Sequence, residues 1–448
     1  MPLLGQINWE RFYGGNGEDA GFALNRASDG FIIAGHTNSS GNGGFDFFLV
    51  RIDENGDTLW TRTAGGSDDD FSRCVISTED GGFLVSGLTY SFGAGNSDVF
   101  VVKYNSSGDT LWTRTFGGSI ADEIYSIIEH NGSYVLAGRT YSFGAGNFDV
   151  YVIALNSDGD SLWTRTYGGT ITDGANSIIN AEDGFLIVGY TYSFGHGNYD
   201  VYVIRIDSSG SVLWQRTYGG SDDDVGTSAV ACDDGGFIIG GYTYSFTHGA
   251  DDIYLIKIDS LGNLIWQRNF GGSGIDEIHA LKRVGNLIFG AGVTESYGSG
   301  RRDAYVIAIN GNGDMVWDET FGYSGNDGAY DIALARNGNL VITGYSNRYG
   351  SYDVYSVNFN PGVGIQESRQ EIEQAFLLNR NLKLTVKERK FVKIYLFNSS
   401  GRLISKIFSG QLSPGIHNFT LPTKMSGVFF VKIDSGRETK IYKGVYVK

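Results

Sequence analysis

The chain has 448 residues, a net charge of −16, 67 glycines, 4 prolines and 14 % aromatic residues. It is too long for one ordinary core and fits one large repeat domain plus a small one. Many glycines beside many tyrosines and phenylalanines favour short strands joined by glycine turns, and no apolar run approaches the roughly 20 residues of a membrane helix, so no membrane span is expected.

The charge is uneven: residues 1–360 hold 19 Lys and Arg against 44 Asp and Glu, while residues 361–448 hold 15 against 6. So acidic a first part repels phosphates, which excludes nucleic acid as a partner. It suits cations or neutral sugars, or serves solubility alone. Cys74 and Cys232 fall on first strands at different positions and read as small buried apolar residues, with no disulfide between them. The six histidines have no ligand spacing.

In chain order, Met-Pro-Leu-Leu-Gly-Gln is too short for a signal peptide. A strand-like segment, Ile7–Tyr13, follows and carries Trp9. Tryptophans then recur at Trp60, Trp112, Trp163, Trp214, Trp266 and Trp317, always 51 or 52 residues apart. Each repeat reads as four strands. In the third these lie near Glu123–Ile128, Tyr134–Gly138, Asp149–Asn156 and Ser161–Thr166. The first two are joined at Asn131-Gly132, a type I′ hairpin signal. Asp29-Gly30, Asp80-Gly81, Asp183-Gly184 and Asn337-Gly338 fill the same slot. The last two strands are joined by a second glycine turn, such as Asn55-Gly56 or Asp158-Gly159. Period-2 alternation in the third strand, as in residues 200–206, marks a buried strand.

Four antiparallel strands per repeat of this length predict an all-β fold, a β-propeller of four-stranded blades. Ile7–Tyr13 is a fourth strand with no blade before it, and residues 323–360 supply three strands with no fourth. The expected fold is therefore a seven-bladed propeller over residues 1–360, closed by strand 7–13 on the last blade. The repeat resembles pyrroloquinoline-quinone-type and Asp-box propeller repeats in its rhythm of aliphatic strand, glycine turn and tryptophan. It is most similar to the seven-bladed propellers of secreted bacterial repeat proteins.

Two carboxylates recur in each blade. Asp19, Asp70, Asp122, Asp173, Asp224, Asp276 and Asp327 follow the Gly-Gly turn. Asp46, Asp98, Asp149, Asp200, Asp252, Asp303 and Asp353 open the third strand. Both sets belong to one rim. They read either as a sevenfold site for calcium or sugar hydroxyls, or as acceptors that hold glycine-rich loops in shape. Tyr90, Tyr141, Tyr192 and Tyr244 sit in long loops where they could stack on sugars, with Phe92, Phe143, Phe194 and Phe246 packing nearby. Arg11, Arg62, Arg114, Arg165, Arg216 and Arg268 follow each tryptophan by two and read as scaffold beside the indole, a pattern Glu319 breaks. The third-to-fourth-strand turns resemble half a calcium loop but lack its bidentate Glu. The departures from the repeat are Arg301, Arg302, His196, His248 and the runs Asp68–Asp70 and Asp222–Asp224. No residue set marks a catalytic centre.

Pro361 opens a polar linker, residues 361–375, before a predicted Ig-like β-sandwich over 376–448. Its strands are expected at Leu382–Val386, Phe391–Phe397, Leu403–Phe408, Ile416–Leu421, Val428–Ile433 and Thr439–Val447. FVKIYLFNSSGRLI (391–404), Leu412–His417, Ser426–Lys432 and the basic last strand ending at Lys448 resemble the type A C-terminal sorting domain of type IX secretion substrates. Asn398 and Phe429 stand where that family usually has other residues. The resemblance implies export by the type IX machinery and a secreted or outer-surface location.

The sequence as a whole points to a binding module for a glycan or protein, not an enzyme, with calcium as a candidate cofactor. A secreted carbohydrate-active enzyme using rim carboxylates and a structural surface or adhesion component are the alternatives.

Overall fold

The computed structural model describes residues 6–362 and, beyond them, 372–378, 381–386, 390–398, 403–413, 415–420, 427–434 and 439–446. The chain divides into two compact units, Met1–Ile365 and Gln366–Lys448. No helix of the described residues is long and apolar enough to cross a membrane.

The first unit is seven four-stranded antiparallel sheets. Blade 1 runs Asp19–Ala27, Gly30–Thr37, Asp46–Ile52, Thr58–Ala64, and five more follow in the same order to Met315–Phe321. Blade 7 takes Asp327–Leu334, Leu340–Ser346 and Asp353–Asn360 from the end of the unit and Gln6–Tyr13 from its start. Gln6 pairs with Asn360 and Tyr13 with Val354, so the expected clasp is present. Each first strand touches the next, and the seventh touches the first, which closes the ring.

No single core fills this unit. Seven apolar clusters each join two adjacent blades. The one that seals the seam unites Trp9, Tyr13, Val341 and Val354 of blade 7 with Leu24, Phe31 and Ile33 of blade 1. Third strands are buried along their length, whereas fourth strands are mostly exposed. A blade alone would expose both faces of its sheet, so stacking is obligatory.

The repeating tryptophan locks each blade to the next. The Trp9 indole N–H donates to the Glu54 carbonyl at 2.9 Å, and Trp112, Trp214 and Trp266 reach the equivalent turn of the following blade. A Cβ on Gly56 would meet the Trp9 ring at 2.9 Å, and Gly56 also has φ 78°. Only glycine satisfies both demands. Five of the arginines stack on their own indoles at 5.3–6.0 Å. Arg11 and Arg114 pair with Asp57 and Asp160, but the others bond chiefly to carbonyls, not to the repeat carboxylates.

Some local expectations change. Of the five hairpin pairs, Asn131-Gly132 alone has both residues at positive φ. At Asp80 and Asn337 the turn is longer and only the glycine turns left-handed. Cys74 is buried on a first strand, but Cys232 lies just past its strand and is half-buried.

In the second unit, strands Ile372–Leu378, Asn381–Val386 and Gly415–Thr420 form one sheet. Leu403–Leu412, Lys390–Asn398, Gly427–Asp434 and Thr439–Tyr446 form the other. One apolar cluster, including Leu382, Leu384, Val392, Ile394, Leu396, Val431 and Ile433, holds side chains of both sheets. The strand Ile372–Leu378 begins inside the predicted linker; residues 363–371 of that linker lie outside the described residues. So do 1–5 and, from the sorting-domain resemblance, Gly401, Arg402, Pro414, Ser426 and Lys448.

Candidate functional site at the channel mouth

The seven aspartates Asp19, Asp70, Asp122, Asp173, Asp224, Asp276 and Asp327 are fully buried. Each takes a main-chain N–H four residues upstream, Gly15 on Asp19 and Gly118 on Asp122 both at 2.8 Å. In six blades a loop serine also donates to the same oxygen, as Ser142 does to Asp122 at 2.7 Å. Their other neighbours are the third-strand aspartates. A Cβ on Gly117 would fall 2.1 Å from Asp98 and 2.7 Å from Asp122. The Gly-Gly turn exists because two buried carboxylates converge on it. Burial and the mutual charge push Asp46, Asp149, Asp303 and Asp353 above the usual carboxylate range. These carboxylates shape loops, and all but the half-buried Asp353 are buried.

Tyr90, Tyr141, Tyr192 and Tyr244 remain exposed in the outer loops. Tyr90 borders an open recess of about 450 Å³ with Gly44, Ser67, Asp68 and Asp69. Phe92, Phe143, Phe194 and Phe246 lean on a third-strand ring at 5.3–5.8 Å. His196 and His248 use their N–H groups to bind Asp200 and Asp252. Among the described residues no three His, Cys, Asp or Glu side chains form a metal cage.

The blades differ elsewhere. In all seven, the first strand skips one register position three residues after its aspartate. A β-bulge of this kind frees a residue from the ladder and re-aims its side chain. The seven bulged residues are Phe22, Arg73, Tyr125, Asn176, Thr227, His279 and Tyr330, no two neighbours alike. In blades 4 to 6 the side chain bonds the next blade: Asn176 to the Gly226 carbonyl, Thr227 to Ile278 and His279 to Ala329, at 2.6–2.9 Å. The bulky groups of blades 7, 1, 2 and 3 make an aromatic and cationic wall instead. Phe22 stacks on Tyr330 at 4.5 Å, Tyr330 on His279 at 4.8 Å, and Arg73 lies over Phe22 at 4.8 Å.

Two polar clusters flank that wall. In blades 3 and 4, Arg139 donates to Glu123 at 2.9 Å and to the Tyr190 hydroxyl at 3.1 Å, and Tyr125 bonds the same Glu123. In blades 5 and 6, Glu277 faces His279 at 3.1 Å and abuts Asp251. Because a carbonyl accepts from His279 Nδ1, that nitrogen carries a proton. Burial first, then Glu277, raises Asp251 to about 7. Burial opposes ionisation of Glu277, yet His279 beside it holds it below its ordinary value. Asp251 lies beside Glu277 and Tyr244, but neither of its oxygens makes a hydrogen bond of normal geometry. Burial and the neighbouring Glu277 thus keep Asp251 protonated to a higher pH than an ordinary carboxyl.

A cavity of about 390 Å³ opens across blades 6, 7 and 1. Ala20, Phe22, His36, Tyr330, Tyr345 and Tyr352 line its apolar side, and Glu18, Glu295, Arg301, Arg302 and Asn326 its polar side. Arg302 is fixed by Glu295 at 2.8 Å and by the Tyr345 hydroxyl. Arg301 and Arg302, departures visible in the sequence, belong to this site; the bulge column does not announce itself. Its signal is the one position per repeat that varies in charge and size while its neighbours repeat. Stacked rings beside a few fixed donors suit a small cyclic polar ligand.

No family model matches the chain. It is 27 % identical over 267 residues to regulatory protein FlaEY of Caulobacter vibrioides, a match covering 51 % of this chain and 27 % of that protein. The chain thus spans about a quarter of that relative's length. Among solved structures it is similar to puromycin hydrolase, with 13 % identity, TM-score 0.50, and 83 % and 59 % of the two chains covered. It is also similar to acylaminoacyl peptidase of Pyrococcus horikoshii, with 9 % identity, TM-score 0.44, and 82 % and 57 % covered. At such identities the likeness concerns the propeller fold alone.

Proposed function

We propose that the chain is a glycan-binding module whose ligand enters the channel mouth between blades 6, 7 and 1. The observation that carries this reading is the bulge column. Scaffold positions repeat in every blade, whereas two of the varied side chains, Phe22 and Tyr330, line one cavity beside fixed polar groups, with Arg73 and His279 packed on their rings. Tyr330 and Phe22, whose faces are covered by each other, His279 and Arg73, would meet the ligand with their ring edges, with Arg301 and Asn326 at its hydroxyls. A glycan array, run with and without calcium, tests it. Tyr330→Ala is expected to weaken any hit at least tenfold, with Tyr141→Ala unchanged. The opposite ranking would return the site to the outer loops.

An enzyme is the second reading, favoured by the close buried pair Asp251 and Glu277. These carboxyls abut, whereas glycosidase pairs stand about 5–9.5 Å apart. Proton transfer by the dyad would therefore serve another reaction class. The C-terminal unit supplies the proposed route outward. Its strands carry residues that resemble a type IX sorting domain, and that resemblance supports a location outside the cell.

A further inference from the structure

Among the described residues the first unit is strongly acidic, and its buried or half-buried cations are held by polar partners: Arg51 by Asp29, Lys103 by Asp80, Arg139 by Glu123, and Arg205 by the Phe185 and Ile206 carbonyls. Arg73 is different. It enters no ion pair among the described residues, and its buried Nε has no hydrogen-bond partner. Its guanidinium is held only by rings, over Phe22 at 4.8 Å and Phe71 at 5.8 Å. His36 packs on the same two rings, at 5.0 and 5.1 Å, and its Nδ1 is also buried without a partner. Burial and the Arg73 charge hold this imidazole down to about 4, so it is neutral near pH 7.

Two orphan nitrogens converging on one aromatic pair, beside a cavity lined by Phe22 and His36 themselves, is an incomplete hydrogen-bond set. Leaving such groups unmet costs stability, so a native fold retains them where something else completes them. Arg73 calls for an acceptor, best an anionic one since it lacks a counter-charge, and neutral His36 joins it as a second donor in the tautomer that carries its proton on Nδ1. A planar guanidinium matches a carboxylate fork, and the acidic surround repels a dianion more than a monoanion.

We propose that Arg73 and His36 form an anion subsite that takes the carboxylate of an acidic saccharide. This rests on the glycan-binding reading and names the class of sugar. Calorimetric titration of the full chain with oligogalacturonate and with the matching neutral oligogalactoside tests it. The acidic ligand is expected to bind at least tenfold more tightly. Arg73→Met should erase that preference, weakening the acidic ligand at least tenfold more than the neutral one, and leave the melting temperature equal or higher, since it removes an unpaired charge. Arg73→Lys should restore part of the preference.

Equal affinity for the two sugars, or an unchanged preference in Arg73→Met, overturns the subsite while the glycan reading stands. Binding of neither sugar, with no hit on a wider array, overturns both. Titration with inorganic phosphate is the specificity arm. Phosphate binding as tight as oligogalacturonate, and lost in Arg73→Met, would replace the sugar carboxylate by a general anion and overturn the assignment.

Discussion

Asp251 and Asp331 hold their protons to unusually high pH for one common reason, burial, Asp251 to about 7 and Asp331 to about 6. A carboxyl whose folded value exceeds its unfolded one stabilises the fold fully below the unfolded value, and that contribution is lost as pH rises through the folded value. The window therefore runs from about pH 4 to about pH 7. Asp251→Asn keeps a donor for Glu277 and removes the ionisation. Relative to wild type it should gain about 2 kcal/mol between pH 4.5 and 8 in urea denaturation. A stability difference independent of pH would show that Asp251 holds no proton above the ordinary carboxyl range. None of this was legible from residue types, because aspartate is abundant along the whole repeat and only the fold reveals which two carboxyls meet.

At the scale of a strand, Gln6–Tyr13 is the piece on which ring closure depends. Trp9 is buried in the seam cluster, and Tyr13 donates to the Gly56 carbonyl at 2.8 Å. Replacing a buried tryptophan by alanine costs about 3–5 kcal/mol. Trp9→Ala should reach that range, and Trp112→Ala, on a more exposed indole, should cost less. Chemical denaturation of both variants would reveal the ranking, and equal costs would mean that the seam is no weaker than any other blade junction. The clasp was legible because the tryptophan count exceeded the complete repeats at one end and fell short at the other. The bulge was not, because one unpaired residue inside a continuous strand leaves the hydrophobic pattern nearly intact. Ile372–Leu378 was missed for a related reason: its flank, rich in Glu, Gln and Arg, reads as linker.

At the scale of the whole molecule, the first unit contains seven inter-blade clusters and the second its own apolar cluster. Each therefore has what independent folding requires. Removing residues 370–448 should leave the propeller's melting temperature unchanged within error while the truncated protein stays in the periplasm. Its normal appearance at the cell surface would defeat the sorting role. The sevenfold architecture was readable because spacing is preserved at long range. The cavity was not, because it is assembled from blades far apart in sequence, Phe22 and His36 near one end and Tyr330 and Tyr345 near the other.

The bulged residue has a consequence for design. It has no opposite partner in its own sheet's register, so in blades 7, 1, 2 and 3 its identity is decoupled from strand pairing. Randomising only positions 330, 22, 73 and 125 would yield a library of receptors sharing one unaltered chassis, each with a different lumen.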